Sequence, residues 1–174
     1  GVLLDDWMDA HLHNAIVVSI ALILYGIAFI VVEKLNKNRQ FKVSATADIT
    51  YKTALLIGLF QVMAVVPGTS RSGATIIGAL IIGVSRPAAS EFSFFMAIPT
   101  MVGVSTLKII QFLSESSFTP EQLGVLAVGM VISFLVSMLC IKKLMQYVKK
   151  HDFAVFGYYR IVVGIAVLLY FILR

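Results

Sequence analysis

The segment PGTSRSGAT, residues 67–75, holds residue types that together suit the binding of an anion. Arg71 offers a planar guanidinium with five N–H donors, a geometry that matches phosphate oxygens. Hydroxyl side chains stand close to it in sequence, among them Ser70, Ser72 and Thr75. Each hydroxyl can donate to a phosphate oxygen, and each would be a nucleophile if a base lay nearby. The segment therefore predicts an anion site, with the role of each hydroxyl left open.

The same segment is expected to begin a helix, which adds backbone donors to the site. Pro67 and Gly68 break any preceding helix, and the apolar run that follows starts at about Ser72. The free N–H groups and the positive dipole end of that helix would lie beside Thr69 and its neighbours. Glycine at 68 and at 73 would let the backbone approach a ligand closely. We expect Gly68, Thr69, Ser72 and Gly73 to contribute to binding.

The composition identifies the kind of protein that positions this segment. The chain has 174 residues, of which 59% are hydrophobic and 13% charged, and its mean hydropathy is +0.95. Soluble domains contain about 45–50% apolar residues. A water-soluble domain is therefore excluded, and the single cysteine, Cys140, excludes an intrachain disulfide.

Four stretches are long and apolar enough to span a bilayer, which takes about 20 residues. They are residues 15–32, 88–107, 122–141 and 153–173. The last stretch is interrupted by Arg160, which follows two tyrosines. Snorkelling of this arginine to an aromatic belt is the preferred interpretation, and a contact to a lipid phosphate is the alternative.

The region between the first two spans differs from them. Its apolar runs, residues 53–66 and 72–85, are each about 21 Å long if helical, which is short of the bilayer core. Helix breakers and Arg71 separate the runs, so residues 48–85 are expected to form a re-entrant hairpin. Non-helical backbone at membrane depth needs protein or a wet cavity around it, so the tip should face a polar site.

The charges indicate how the chain is oriented. Of its 14 basic residues, eight lie in two short clusters, within residues 33–42 and 142–150. Basic loops beside apolar segments are typical of the cytoplasmic side and contact anionic lipid headgroups. The net charge of +5 is therefore assigned to membrane lipids, and a nucleic-acid partner is not expected.

Two interpretations of the motif remain open at this level. In the structural one, Ser and Thr cap a short helix and Arg71 pairs with a carboxylate, for which Glu91 is a candidate. Glu91 is also suited to a structural role near the start of its own helix, or to a pair with Arg86. Inserting an arginine at membrane depth costs about 2.5–3.5 kcal/mol, which favours a functional reason for Arg71.

Residues 58–99, GLFQVMAVVPGTSRSGATIIGALIIGVSRPAASEFSFFMAIP, resemble the second signature region of the bacterial undecaprenyl-diphosphatases, the bacitracin-resistance lipid phosphatases. The resemblance extends from Gly1 to FGYYRIVVGI at residues 156–165. It implies a membrane hydrolase that removes the terminal phosphate of undecaprenyl diphosphate and so recycles the lipid carrier of peptidoglycan synthesis. By the same resemblance Ser70, Arg71 and Thr75 are the catalytic residues, with Arg71 as the main diphosphate ligand.

The resemblance also implies an architecture of two inverted repeats, each with a re-entrant hairpin. The first repeat of the family carries an ExxxE motif, a serine pair and a histidine, and it holds a divalent cation, Mg or Ca. No such segment occurs here, so we expect no metal ligands in this chain. Residues 1–174 are expected to form a single membrane domain, in which residues 15–32 are the last helix of the first repeat and the rest is the second repeat.

Several functional expectations follow from this resemblance. The chain should hold half an active site, should be inactive without a first repeat, and should belong to the bacterial inner membrane; a homodimer is left open. A different class of function, a transporter or lipid flippase, would also use inverted repeats with broken helices at the midplane.

Overall fold

The computed structural model describes residues 14–115 and 118–173, with the side chain of Glu115 not described. Six α-helices occur in these residues: α1 (Ala15–Asn36), α2 (Tyr51–Val62), α3 (Arg71–Ile82), α4 (Arg86–Glu115), α5 (Pro120–Val148) and α6 (Ala154–Ile172). Short 3-10 turns occupy Thr46–Asp48 and Met63–Val65. The described residues contain no β-strand, only an isolated bridge between Val43 and Val84. The predicted all-α class is confirmed.

Four of the helices, α1, α4, α5 and α6, are long and apolar enough to cross a membrane. They coincide with the four predicted spans, so the chain is a multi-pass membrane protein. Helix α4 is longer than the predicted 88–107, since it continues past Lys108 to Glu115. A charge interrupts an apolar run without ending a helix, which is why the prediction stopped too early.

A hairpin of two short helices forms in the predicted region, and its re-entry into the membrane stays a prediction. Helices α2 and α3 have 12 residues each, about 18 Å apiece. Both ends of the hairpin lie together, because Ser85 N donates to Val43 O at 2.8 Å and Lys42 N donates to Gly83 O at 2.9 Å. The chain reverses at Gly68, whose φ is +86°. At this turn an added Cβ would lie 2.6 Å from the carbonyl oxygen of Val18, so only glycine fits.

Helix α3 is buried between the other helices. One face packs with α1 and with the end of α5 and the turn after it, in a cluster that contains Phe29, Leu80, Val148 and Phe153. Its other face joins Ala79 to Ile57 of α2 and to the start of α4. A core on two sides holds α3 in one position, so its N-terminus has a defined place between the long helices.

Helices α1 and α6 pack closely through glycines. A Cβ on Gly26 would lie 2.7 Å from the carbonyl oxygen of Gly157, and the reverse substitution meets Gly26 O at the same distance. Small residues let helix backbones approach in membranes, where van der Waals packing drives association. This contact brings the first third of α6 beside the hairpin.

Glu33 joins three elements at one end of the bundle. It is 4% exposed, accepts two hydrogen bonds from Nε of Arg86, at 3.0 and 2.9 Å, and forms an ion pair with the same guanidinium. It also accepts from the backbone N–H of Phe153 at 3.0 Å. Because Glu33 belongs to the first basic segment and Phe153 follows the second, residues 33–42 and 142–150 lie at the same end.

The C-terminus of α3 lies at this end too. Gly83 ends the helix with φ +104°, and Arg39 donates to the carbonyl oxygens of Leu80 and Ile81, at 3.4 and 2.9 Å. A cation at a helix C-terminus is stabilised by the helix dipole and by free carbonyls. Arg39 was grouped with the headgroup-contacting lysines, and the structure shows that its guanidinium binds the helix end.

Candidate anion site at the hairpin tip

Ser70 begins helix α3 and shapes its first turn. Its backbone is extended, and its Oγ accepts a hydrogen bond of 3.1 Å from the N–H of Gly73. Ser72 Oγ lies 3.1 Å from Ser70 Oγ, so the two hydroxyls are neighbours. The amides of Arg71 and Ser72 have no acceptor among the described residues. The cap thus uses one amide, and two donors remain at the positive end of the helix.

Arg71 is the first residue of α3, and its guanidinium has no counter-ion among the described residues. Its Nη1 is buried and has no hydrogen-bond partner in the described part of the chain. In residues 14–115 and 118–173 the only ion pair is that of Arg86 with Glu33. The structural alternative, in which Arg71 pairs with a carboxylate of this segment, therefore finds no partner there.

Arg160 of α6 is the unexpected component of the site. Its Nη2 donates to the carbonyl oxygen of Gly68 at 2.8 Å, and its guanidinium lies 5.9 Å from the ring centre of Tyr25. Its Nε is buried without an acceptor among the described residues. The preferred interpretation, snorkelling to an interface, is wrong, because the side chain turns inward to the hairpin tip. The signal was present as a charge within the α6 apolar run.

A cavity of about 260 Å³ adjoins Ser70 and Arg160, and Arg71 is not among the residues that line it. Its polar lining consists of Ser70, Ser72, Gly73 and Arg160. The rest of the lining is mostly aromatic, and it includes Phe29, Phe153, Phe156 and Tyr159. A cavity lined by both polar and aromatic residues suits an amphipathic ligand.

Thr75 lies away from this cavity. It is 1% exposed, and its Oγ1 is 2.7 Å from Ser93 Oγ in helix α4. The same hydroxyl is within hydrogen-bond distance of the carbonyl oxygens of Arg71 and Ser72, at 3.2 and 2.9 Å. The contacts connect the first turn of α3 to α4. The catalytic role assigned to Thr75 by resemblance stays a prediction.

The remaining members of the predicted binding set have different positions. Gly73 lines the cavity, but its amide is used by Ser70. Gly68 presents its carbonyl oxygen to Arg160, and Thr69 donates its backbone N–H to Val66 at 3.1 Å. Ser72 contributes both a hydroxyl at the cavity and a free amide. The structure thus brings Ser70, Ser72 and Gly73 to one cavity with Arg160.

Glu91 is not the partner of either arginine that was considered for it. Its Oε2 accepts a hydrogen bond from Thr46 Oγ1 at 2.5 Å, which connects α4 to the loop before the hairpin. Arg86 pairs with Glu33, which sequence reasoning missed. One sequence feature could have pointed to an ion pair of Glu33: it is a single carboxylate directly after an uncharged span, at the start of a basic segment.

The donor set at the tip does not suit a divalent cation. Hard cations such as Mg and Ca take carboxylate and carbonyl oxygens, whereas the tip offers guanidinium, hydroxyl and N–H groups. In residues 14–115 and 118–173, no group of three or more His, Cys, Asp or Glu residues is placed to hold a metal. These residues can bind and neutralise an anion.

Comparison with known proteins agrees with this chemistry. The chain is 60% identical over 169 residues to an undecaprenyl-diphosphatase of Enterococcus faecalis, which covers 97% of this chain and 60% of that relative. It is 57% identical over 170 residues to an undecaprenyl-diphosphatase of Lacticaseibacillus paracasei, with 97% and 62% covered. An undecaprenyl-diphosphatase of Streptococcus thermophilus is 55% identical over 171 residues, with 98% and 59% covered.

The chain therefore spans about three fifths of the length of the curated relatives it matches. The family described as bacitracin resistance protein BacA matches residues 1–166, which is nearly the whole chain. By this match and by the identities above, the chain belongs to the bacitracin resistance protein BacA family.

Proposed function

We propose that this chain is the diphosphate-binding part of an undecaprenyl-diphosphatase. The whole protein hydrolyses undecaprenyl diphosphate to undecaprenyl phosphate and inorganic phosphate, for reuse of the lipid carrier in peptidoglycan synthesis. Its relatives carry the name of this activity. The observation that carries the proposal is Arg71, a guanidinium without a counter-ion in the described residues, at the start of a helix inside a membrane protein.

The chemistry needs stabilisation of negative charge. Water adds its oxygen to the terminal phosphorus, the bond from that phosphorus to the bridging oxygen breaks, and undecaprenyl phosphate leaves. Charge on the phosphate oxygens is held by Arg71 and by the free amides of the first turn of α3. Donors fixed before the reaction need no rearrangement, and in a site of low dielectric they act more strongly than in water.

The serines at the tip can bind the substrate through their hydroxyl groups. Ser70 Oγ already accepts from Gly73, and its hydrogen is free to point to Ser72 or to a phosphate oxygen. Attack on phosphorus by a serine would need a base beside it. No His, Asp or Glu of the described residues lines the cavity. Ser70 and Ser72 are therefore proposed to bind the diphosphate, with the activating base contributed by the part of the protein that longer relatives have in addition.

The same part of the protein is proposed to supply the ligands of a divalent cation, Mg or Ca. Its repeat would pair with the present one around the substrate, as the family resemblance implies. A bound cation neutralises phosphate charge and polarises the phosphorus. The isolated chain is therefore expected to bind the substrate's charged group without hydrolysing it.

The four apolar helices and the charges support a proposal for the location. We propose the bacterial inner membrane, with residues 33–42 and 142–150 in the cytoplasm and membrane lipids around α4 and α5. The two basic segments lie at one end of the bundle, which satisfies the positive-inside rule with a single orientation. The hairpin enters from this end, and its tip lies about 18 Å away along α3.

A chimera tests the proposal. In it, this chain replaces the matched part of the Enterococcus faecalis relative, and phosphate release from undecaprenyl diphosphate is measured in detergent. The relative itself is the positive control, and the isolated chain is expected to stay at background. A chimera that is monodisperse by size-exclusion chromatography but releases no phosphate would contradict the proposed function.

A further inference from the structure

Arg160 has the environment of a ligand-binding residue. It lies within an apolar helix, is partly buried, and has no carboxylate partner in residues 14–115 and 118–173. A guanidinium in a membrane protein needs an anion or strong acceptors to offset its desolvation. One carbonyl oxygen and the face of Tyr25 offset only part of this cost.

The contact with Gly68 orients the guanidinium. Nη2 is fixed on the carbonyl oxygen at 2.8 Å, and the planar fork is therefore held against the turn that precedes α3. Arg160 also lines the cavity that Ser70 and Ser72 line.

Two arginines that have no counter-ion among the described residues lie at the same short segment. Arg71 follows Ser70 directly, and Arg160 holds the carbonyl oxygen of Gly68, two residues before it. Their combined charge of +2 suits the two neighbouring negative groups of a diphosphate better than it suits a single phosphate.

We infer that Arg160 supplies a second guanidinium to the anion site, so that Arg71 and Arg160 together hold the two phosphates of a diphosphate group. The inference rests on the proposed function for the identity of the ligand, but it concerns binding alone. Arg160 is a binding residue in this account, and the Gly68 carbonyl positions it.

Inorganic pyrophosphate is the probe, used with the detergent-solubilised chimera. Binding of pyrophosphate and of inorganic phosphate is measured by calorimetry for the parent and for Arg160→Gln. Loss of a charge-assisted contact is expected to weaken pyrophosphate binding about tenfold or more, and phosphate binding less. Equal pyrophosphate affinity in parent and variant would overturn the inference.

A measurement on the unmutated chimera removes the risk that the variant misfolds. Phenylglyoxal modifies arginines, and mass spectrometry reports its rate at each one. Pyrophosphate should slow modification of Arg160 and of Arg71, while the exposed Arg39 at the other end of α3 reacts at an unchanged rate. Unchanged modification of Arg160 under saturating pyrophosphate would contradict the inference.

The outcomes separate this inference from the proposed function. Protection of Arg160 in a chimera that releases no phosphate supports the inference and contradicts the function. Phosphate release without protection of Arg160 supports the function and overturns the inference, leaving Arg160 as a residue that only fixes the turn.

Discussion

Arg160 Nη2 and the carbonyl oxygen of Gly68 form a 2.8 Å hydrogen bond between residues 92 positions apart. The contact joins a membrane-spanning helix to the turn of a short hairpin. If the hairpin re-enters the membrane as predicted, this contact satisfies a carbonyl that lipid could not. The turn at Gly68 also positions Ser70 and the N-terminus of α3.

Substitution Gly68→Ala is expected to destabilise the protein. The residue would have to keep a left-handed backbone, at a cost of about 1–2 kcal/mol, and its Cβ would collide with Val18 O. A lower temperature of unfolding in detergent is the expected result. Gly124→Ala is the matched control, because nothing lies within 4 Å of its Cβ position. Equal unfolding temperatures for the two variants would contradict the role of the turn.

Removing the charge of Glu33 is expected to lower the stability of the folded protein. Glu33→Gln removes the charge that faces Arg86, whose side chain is 25% exposed, and loss of this partly buried ion pair is expected to cost about 1–3 kcal/mol. Thermal unfolding in detergent measures the loss. Glu91→Gln is the control, since that carboxylate is exposed and contacts only Thr46 among the described residues. If both variants unfold at the parent temperature, the Glu33–Arg86 pair does not stabilise the protein.

Thr75 and Ser93 are expected to be energetically coupled. Their hydroxyls are 2.7 Å apart and buried, so Thr75→Val and Ser93→Ala each remove the same hydrogen bond. A double-mutant cycle of unfolding free energies should give a coupling of about 0.5–1.5 kcal/mol. Strictly additive losses would show that the two hydroxyls do not support each other.

The sequence predicted the parts of the fold that depend on local physics. Length and hydropathy identified four spans, and two short apolar runs around Pro67 and Gly68 predicted the hairpin. The predicted span ended too early because the apolar run stops at Lys108. Helix α4 continues beyond this residue, since a charged side chain does not interrupt the backbone hydrogen bonds of a helix.

Partners distant in sequence were not predictable from residue types. Arg86 had several carboxylates available by composition, and only the packing of α1, α4 and α6 selects Glu33. Arg160 carried the right signal, a charge in an apolar helix, but nothing local directs it to Gly68. Thr75 shows the same limit, since the spacing of the motif does not reveal that its hydroxyl contacts α4.

Arg71 is proposed to bind the diphosphate through its planar guanidinium group. Arg71→Lys in the chimera keeps the charge and removes the fork, while Arg39→Lys makes the same change at the opposite end of α3. Phosphate release from undecaprenyl diphosphate should fall about 100-fold or more in kcat/KM for Arg71→Lys, which corresponds to about 3 kcal/mol, and stay near the parent value for Arg39→Lys. An Arg71→Lys chimera that retains the parent kcat/KM would contradict the account.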